Sequence, residues 1–140
     1  MSYGNEPTNK FVTTYFRRAF VVADASMFGD LFLRLLWDDG AVVHLNGIEV
    51  FRSNMPTGTI SATTFALTPL AAPEESDFVS TSIERANLLS GTNVLAVEVH
   101  QANLTSSDLS FDLEVLGVLN RRRWSASSAR RTTPRFSRPP

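Results

Sequence analysis

The sequence predicts an all-β fold, an antiparallel sandwich or barrel, on three observations. Leu109, Phe111, Leu113 and Val115 alternate with Asp108, Ser110, Asp112 and Glu114, the period-2 pattern of a strand with one buried and one wet face. Asn46-Gly47 stands between two apolar runs, and because both central residues of a type I′ turn need positive φ, this dipeptide marks a hairpin. Short strand-like runs recur at regular spacing with turn residues between them, and no segment supports a long helix.

Taken in order, Met1 to Asn9 is a polar lead-in with Gly and Pro. Lys10 to Ala23 is rich in aromatic and β-branched residues, which suit a pleated, half-buried surface, and reads as one long strand or two joined at a bulge near Arg17-Arg18. Asp24-Ala25-Ser26 is a turn. Leu31, Leu33, Leu35 and Trp37 share one face and Arg34 the other, so this stretch is a strand. Asp38-Asp39-Gly40 makes a tight turn into the Asn-Gly hairpin, which ends near Arg52. Pro56 and Gly58 make Ser53 to Gly58 a loop, Thr63 to Leu67 reads as a short strand, and Thr68 to Ser76, with two prolines, as a second exposed loop. Phe78 to Ile83 is a strand; Glu84 to Leu89 is a short helical turn stopped by Ser90-Gly91. In Asn93 to His100, Leu95, Val97 and Val99 oppose Ala96, Glu98 and His100.

At 140 residues the chain is long enough to bury a sizeable core as one domain, and with no cysteine it does so without disulfides or thiol chemistry. No run approaches the ~18 apolar residues of a membrane span, and the N-terminus lacks the basic and apolar regions of an export signal. The net charge of −1 hides an asymmetry: Arg121, Arg122, Arg123, Arg130, Arg131, Arg135 and Arg138 crowd the C-terminal stretch, while every Asp and Glu lies before it. An acidic body argues against nucleic acid as the main partner of the folded part. Residues 120–140, rich in Arg, Ser, Thr and Pro, bury too little apolar surface to offset their ordering entropy, which predicts disorder. They read as a basic arm for anionic polymers, a linker remnant or an out-of-frame end.

For catalysis the chain offers no G-x-S-x-G elbow, no H-E-x-x-H and no phosphate-cradling glycine loop. Its two histidines, His44 and His100, fall on strands; they are ordinary structural histidines, or, completed by Glu98 or Asp39, a zinc or iron site of a small metal-dependent hydrolase or oxidase. Asp38 and Asp39 in a turn either cap it through their own backbone or converge on a hard cation such as calcium, which takes about six to eight oxygens. Asp108, Asp112 and Glu114 read as a solvated strand face. Amides and hydroxyls in loops, among them Asn54, Gln101, Asn103, Ser106 and Ser107, are what sugar recognition uses, with an aromatic platform such as Trp37, Tyr15 or Phe51 for the apolar pyranose face.

Trp37 to Val50, together with Gly91-Thr92-Asn93-Val94-Leu95-Ala96-Val97-Glu98-Val99-His100, resembles the galactose-binding-like β-sandwich modules appended to large secreted bacterial proteins, including glycoside hydrolases and metallophosphoesterases. The similarity runs from Thr13 to about Gly117, carried also by Tyr15-Phe16-Arg17-Arg18, Leu33-Arg34-Leu35, Arg52 to Pro56, and Ser107 to Asp112. It implies a jelly roll over residues 10–119, flanked by the lead-in 1–9 and the tail 120–140. It further implies a non-catalytic carbohydrate-binding or accessory module, extracellular or at the cell surface, with a glycan and a catalytic domain of a longer parent as partners. Asp-Asp-Gly before the hairpin is also similar to the calcium-dependent sugar site of protective-antigen-type lectin domains, where consecutive aspartates hold the metal, which implies calcium or a ligand at Asp38 and Asp39; Trp37, Asn54, His100 and Gln101 are further candidates for ligand contact. The resemblance implies a preceding strand that this chain does not supply, leaving a sheet edge open to homodimerisation. A purely structural spacer is the remaining alternative.

Overall fold

The computed structural model describes residues 8, 10–71, 77–106 and 108–120. Among the described residues seven strands make it all-β: β1 (Thr13–Val22), β2 (Phe28–Trp37), β3 (Gly40–Leu45), β4 (Ile48–Ser53), β5 (Val79–Ile83), β6 (Gly91–His100) and β7 (Phe111–Leu119). They form two antiparallel sheets, one ordered β1-β6-β3-β4 and the other β5-β2-β7. The chain passes repeatedly from one sheet to the other, as a jelly-roll sandwich requires. No helix among the described residues is long and apolar enough to cross a membrane.

β2 is the spine. Its alternation puts Leu31, Leu33, Leu35 and Trp37 inward against Ala41, Val43 and Leu45 of β3 and Val97 and Val99 of β6. Each fully buried leucine contributes about 1.5–3 kcal/mol of transfer free energy. In the four-stranded sheet, β1 pairs β6 in unbroken register from Thr13↔His100 to Val22↔Gly91, so this segment is one strand without a bulge at Arg17-Arg18. Asn46 and Gly47 take φ of 55° and 82°, the hairpin turn expected of them. Asp24 caps a 3-10 turn at Ala25–Met27, its carboxylate accepting the Ser26 N–H at 2.9 Å. A second 3-10 turn at Arg85–Asn87 matches the predicted helical turn.

Two expectations need correction. Thr63 to Leu67 is not a strand: its backbone bonds are local or reach loops, with Thr64 N–H to Ser61 O, Ala66 N–H to Gln101 O and Leu67 N–H to Asn54 O. It lies over the four-stranded sheet instead, with Ala66 packed in the cluster around Val42. The last strand begins at Phe111 rather than Leu109 and runs on to Leu119. Beyond Val115 the apolar residues change sides, and Leu116 and Val118 face outward and are exposed. The reading of residues 120–140 as disordered falls, from 121 on, outside the described residues.

Candidate functional site

The outward face of the four-stranded sheet is built by register. Tyr15 lies opposite Glu98, Glu98 opposite Val42, and Val42 opposite Arg52, one row across all four strands. The next row is Arg17, Ala96, His44 and Glu49. A register shift between Val43 and His44 brings Glu49 and Arg52 onto this face together. There the guanidinium grips the carboxylate with two bonds, Nε to Oε1 at 2.9 Å and Nη2 to Oε2 at 2.6 Å. That contact holds the Glu49 carboxyl below its usual range and pushes Arg52 up. The third guanidinium nitrogen donates to the carbonyls of Pro56 and Gly58 and so fixes the loop after β4.

One half of this face is covered and the other open. Met55 and Ala66 pack on Val42, with Ile60 and Ala102 around them, a second apolar cluster outside the main core. Beyond it Thr13 Oγ1 donates to the Ala62 carbonyl, and His100 Nδ1 lies 2.7 Å from the Thr64 carbonyl and 2.9 Å from Thr13 Oγ1. The open half presents Tyr15, 59% exposed, with Arg17, Glu98, His44 and the Glu49–Arg52 pair. Partial burial and the neighbouring Glu98 charge raise the Tyr15 phenol above its ordinary pKa. An exposed ring ringed by fixed donors and acceptors can stack on an apolar sugar face and bond its hydroxyls.

The residues singled out from sequence converge elsewhere, on a buried knot at one end of the sandwich. Asp38 and Asp39 are 2% and 3% exposed. Asp39 Oδ1 accepts the Leu70 N–H at 2.7 Å and Oδ2 the Ala102 N–H at 2.8 Å; its own N–H donates to the His100 carbonyl. Asn54, at φ 52°, donates to the carbonyls of Asp39 and Thr68 at 3.0 and 2.6 Å. Gln101 Nε2 donates to the Asp108 carbonyl. Trp37 sits in the core, 7% exposed, edge-on to Phe51. His100 is fully buried, its Nε2 3.4 Å from Glu98 Oε2 and without a hydrogen bond there.

His44 and His100 do not meet. Their strands are neighbours, but His44 opposes Ala96 while His100 opposes Gly40, four positions or roughly 13 Å of strand apart. Among the described residues no group of three or more His, Asp or Glu is placed to hold a metal. Sequence reasoning noted Tyr15 only as one possible platform and missed Glu49, Arg52 and Arg17 as its companions. Strand parity was the available signal, but which strands lie side by side is not written in it.

No family model matches the chain, and no curated protein matches it. Solved structures do. A β-D-mannosidase from Dictyoglomus thermophilum matches 63% of this chain and 9% of its own at 16% identity and TM-score 0.42. An α-L-rhamnosidase from the same organism matches 79% and 11% at 9% identity and TM-score 0.53. An α-L-rhamnosidase of Streptomyces avermitilis, complexed with L-rhamnose, matches 89% and 12% at 19% identity and TM-score 0.47. The chain thus spans about a tenth of the length of these glycoside hydrolases. The second match defines a fold: a small β-sandwich that also occurs as part of a much larger chain.

Proposed function

We propose that this chain is a non-catalytic glycan-binding or accessory module of an extracellular protein, and that the open half of the four-stranded sheet is its ligand face. The observation that carries the proposal is Tyr15, an exposed ring in register with Glu98 and flanked by Arg17 and the locked Glu49–Arg52 pair. A rigid ring flanked by charge-assisted hydrogen-bonding groups suits sugars, whose one face is apolar and whose rim is hydroxyls. The fold shared with 11% of an α-L-rhamnosidase supports a catalytic parent domain as its neighbour. Calcium at Asp38 and Asp39 is part of the same proposal. Such an ion would draw most of its oxygens from backbone carbonyls and water, because Asp38 and Asp39 offer two carboxylates and Asp39 already accepts two backbone N–H groups.

The test is retention of the full chain on a panel of polysaccharides, with calcium and with excess chelator, while released sugar is assayed in the same tubes. Retention without release, lost in Tyr15→Ala, is expected. Chelator sensitivity of that retention supports the calcium part. Released sugar overturns the non-catalytic reading, and no retention on any polymer leaves a structural spacer.

A further inference from the structure

Between the sheets, along the edges formed by β1 and β7, the sandwich is open. Among the described residues β1 has β6 as its one neighbour and β7 has β2, so both present a row of backbone groups that no described strand pairs. Two cavities of about 290 Å³ each run along this side and share Arg18, Leu95 and Leu113 in their walls, so they form one groove. Its floor is apolar: Phe20, Phe28 and Val115 line one part, and Phe16 stacks on Phe111 across the two sheets at 4.1 Å in the other.

Arg18 stands in the wall of this groove and stays exposed to solvent. On β1 it falls between Phe16 and Phe20, which pack on the core, and opposite Leu95, so it has inward parity. Yet it carries a full charge, and among the described residues it has neither an ion-pair nor a hydrogen-bond partner. An inward charge on an edge strand repels a like-charged strand. A second copy pairing β1 against β1 would bring Arg17 and Arg18 against themselves. An acidic strand would instead satisfy Arg18 from inside and Arg17 from outside, while its apolar residues fill the groove.

We infer that the β1 edge takes an extended polypeptide segment of alternating apolar residues with an acidic residue opposite Arg18, which adds a strand outside β1 and closes the groove. This uses backbone pairing for affinity and the arginine for selection.

The probe is a synthetic ten-residue peptide, the length of β1, of alternating valine and threonine with one central glutamate. Its counterparts carry lysine in place of that glutamate, or proline at alternate positions. Titrated into the full chain by calorimetry, the glutamate peptide should bind at least tenfold tighter than the lysine peptide. The proline peptide should not bind, and hydrogen exchange should show new protection confined to β1. Arg18→Glu should reverse the preference between the charged peptides; Arg18→Gln, which keeps the stem and removes the charge, should abolish it. Equal binding of the charged peptides, no binding of either, or a concentration-dependent dimer of the chain alone in sedimentation overturns the proposal. Because no sugar enters this assay, its failure leaves the glycan reading where it stands.

Discussion

Asp39 accepts the backbone N–H of Ala102 on Oδ2 at 2.8 Å, and by that one contact the turn between β2 and β3 is tied to the loop that leaves β6. The other oxygen ties in Leu70, and Asn54 closes the knot by donating to the Asp39 carbonyl. Two segments distant in sequence thus converge on one buried carboxylate, and a third on the backbone carbonyl of the same residue. Asp39→Asn keeps the volume but turns one acceptor into a donor facing an N–H, and should cost about 2–3 kcal/mol. In thermal unfolding this should lower Tm by on the order of 10 °C. If calcium sits here, the wild-type Tm should also rise with added calcium and return with chelator, and Asp38→Asn should remove that response.

Gly40 stands where the loop after β4 comes down on the sheet. A Cβ there would fall 2.9 Å from the Ala66 Cβ and 3.1 Å from the Asn54 carbonyl oxygen, and would also run into the Met55 sulfur. Met55 can turn aside, but the other two atoms are held. Gly40→Ala should therefore destabilise by about 1–3 kcal/mol through overpacking. The loss should be local: hydrogen exchange of residues 54–66 should speed up while that of β2 is unchanged.

Much of the architecture is legible in short-range patterns. The parity of Leu31 to Trp37, the Asn46-Gly47 turn and the two apolar runs around it specify faces and a hairpin without any tertiary information. Thr63 to Leu67 shows where such patterns fail, because its residues suit a strand locally while its backbone bonds go to loops instead of a sheet edge. The surroundings of the candidate site residues were hidden for a different reason. Trp37, Asp38, Asp39, Asn54, His100 and Gln101 are chemically expressive, and the fold does bring most of them together, but in a buried tie of turns and loops. Tyr15, Glu98, Glu49 and Arg52 become neighbours only through the order β1-β6-β3-β4 and the shift after Val43, neither of which a sequence displays.

Asn93 shows a further layer of the same kind. Fully buried, it accepts from Leu89 N–H and Asn46 Nδ2 and donates to the carbonyls of Leu89 and Gly91. Asn46 in turn accepts the Val94 N–H, so the hairpin turn is pinned to the start of β6. Asn93→Leu, close in volume, would strand the Leu89 N–H and part of the Asn46 amide. A loss of about 3 kcal/mol is expected, read as a lower denaturation midpoint with an unchanged m-value.

The proposed ligand face can be tested without a ligand through Tyr15. Its phenol is raised first by burial and second by the Glu98 charge. Both favour the neutral form in the folded protein, so their contribution to stability is complete below the unfolded value of about 10. It is lost as pH rises through the higher folded value. Titration followed by phenolate absorbance, with Tyr15→Phe subtracted to remove Tyr3, should show a midpoint above that of free tyrosine. Glu98→Gln removes only the second cause and should move the midpoint part of the way back. A midpoint unmoved by Glu98→Gln would mean that the ring does not sit beside that carboxylate. If sugars stack on this ring, a retained polysaccharide should raise the midpoint further by excluding water from the phenol, and Tyr15→Ala should weaken retention about tenfold, the loss of one anchoring side chain.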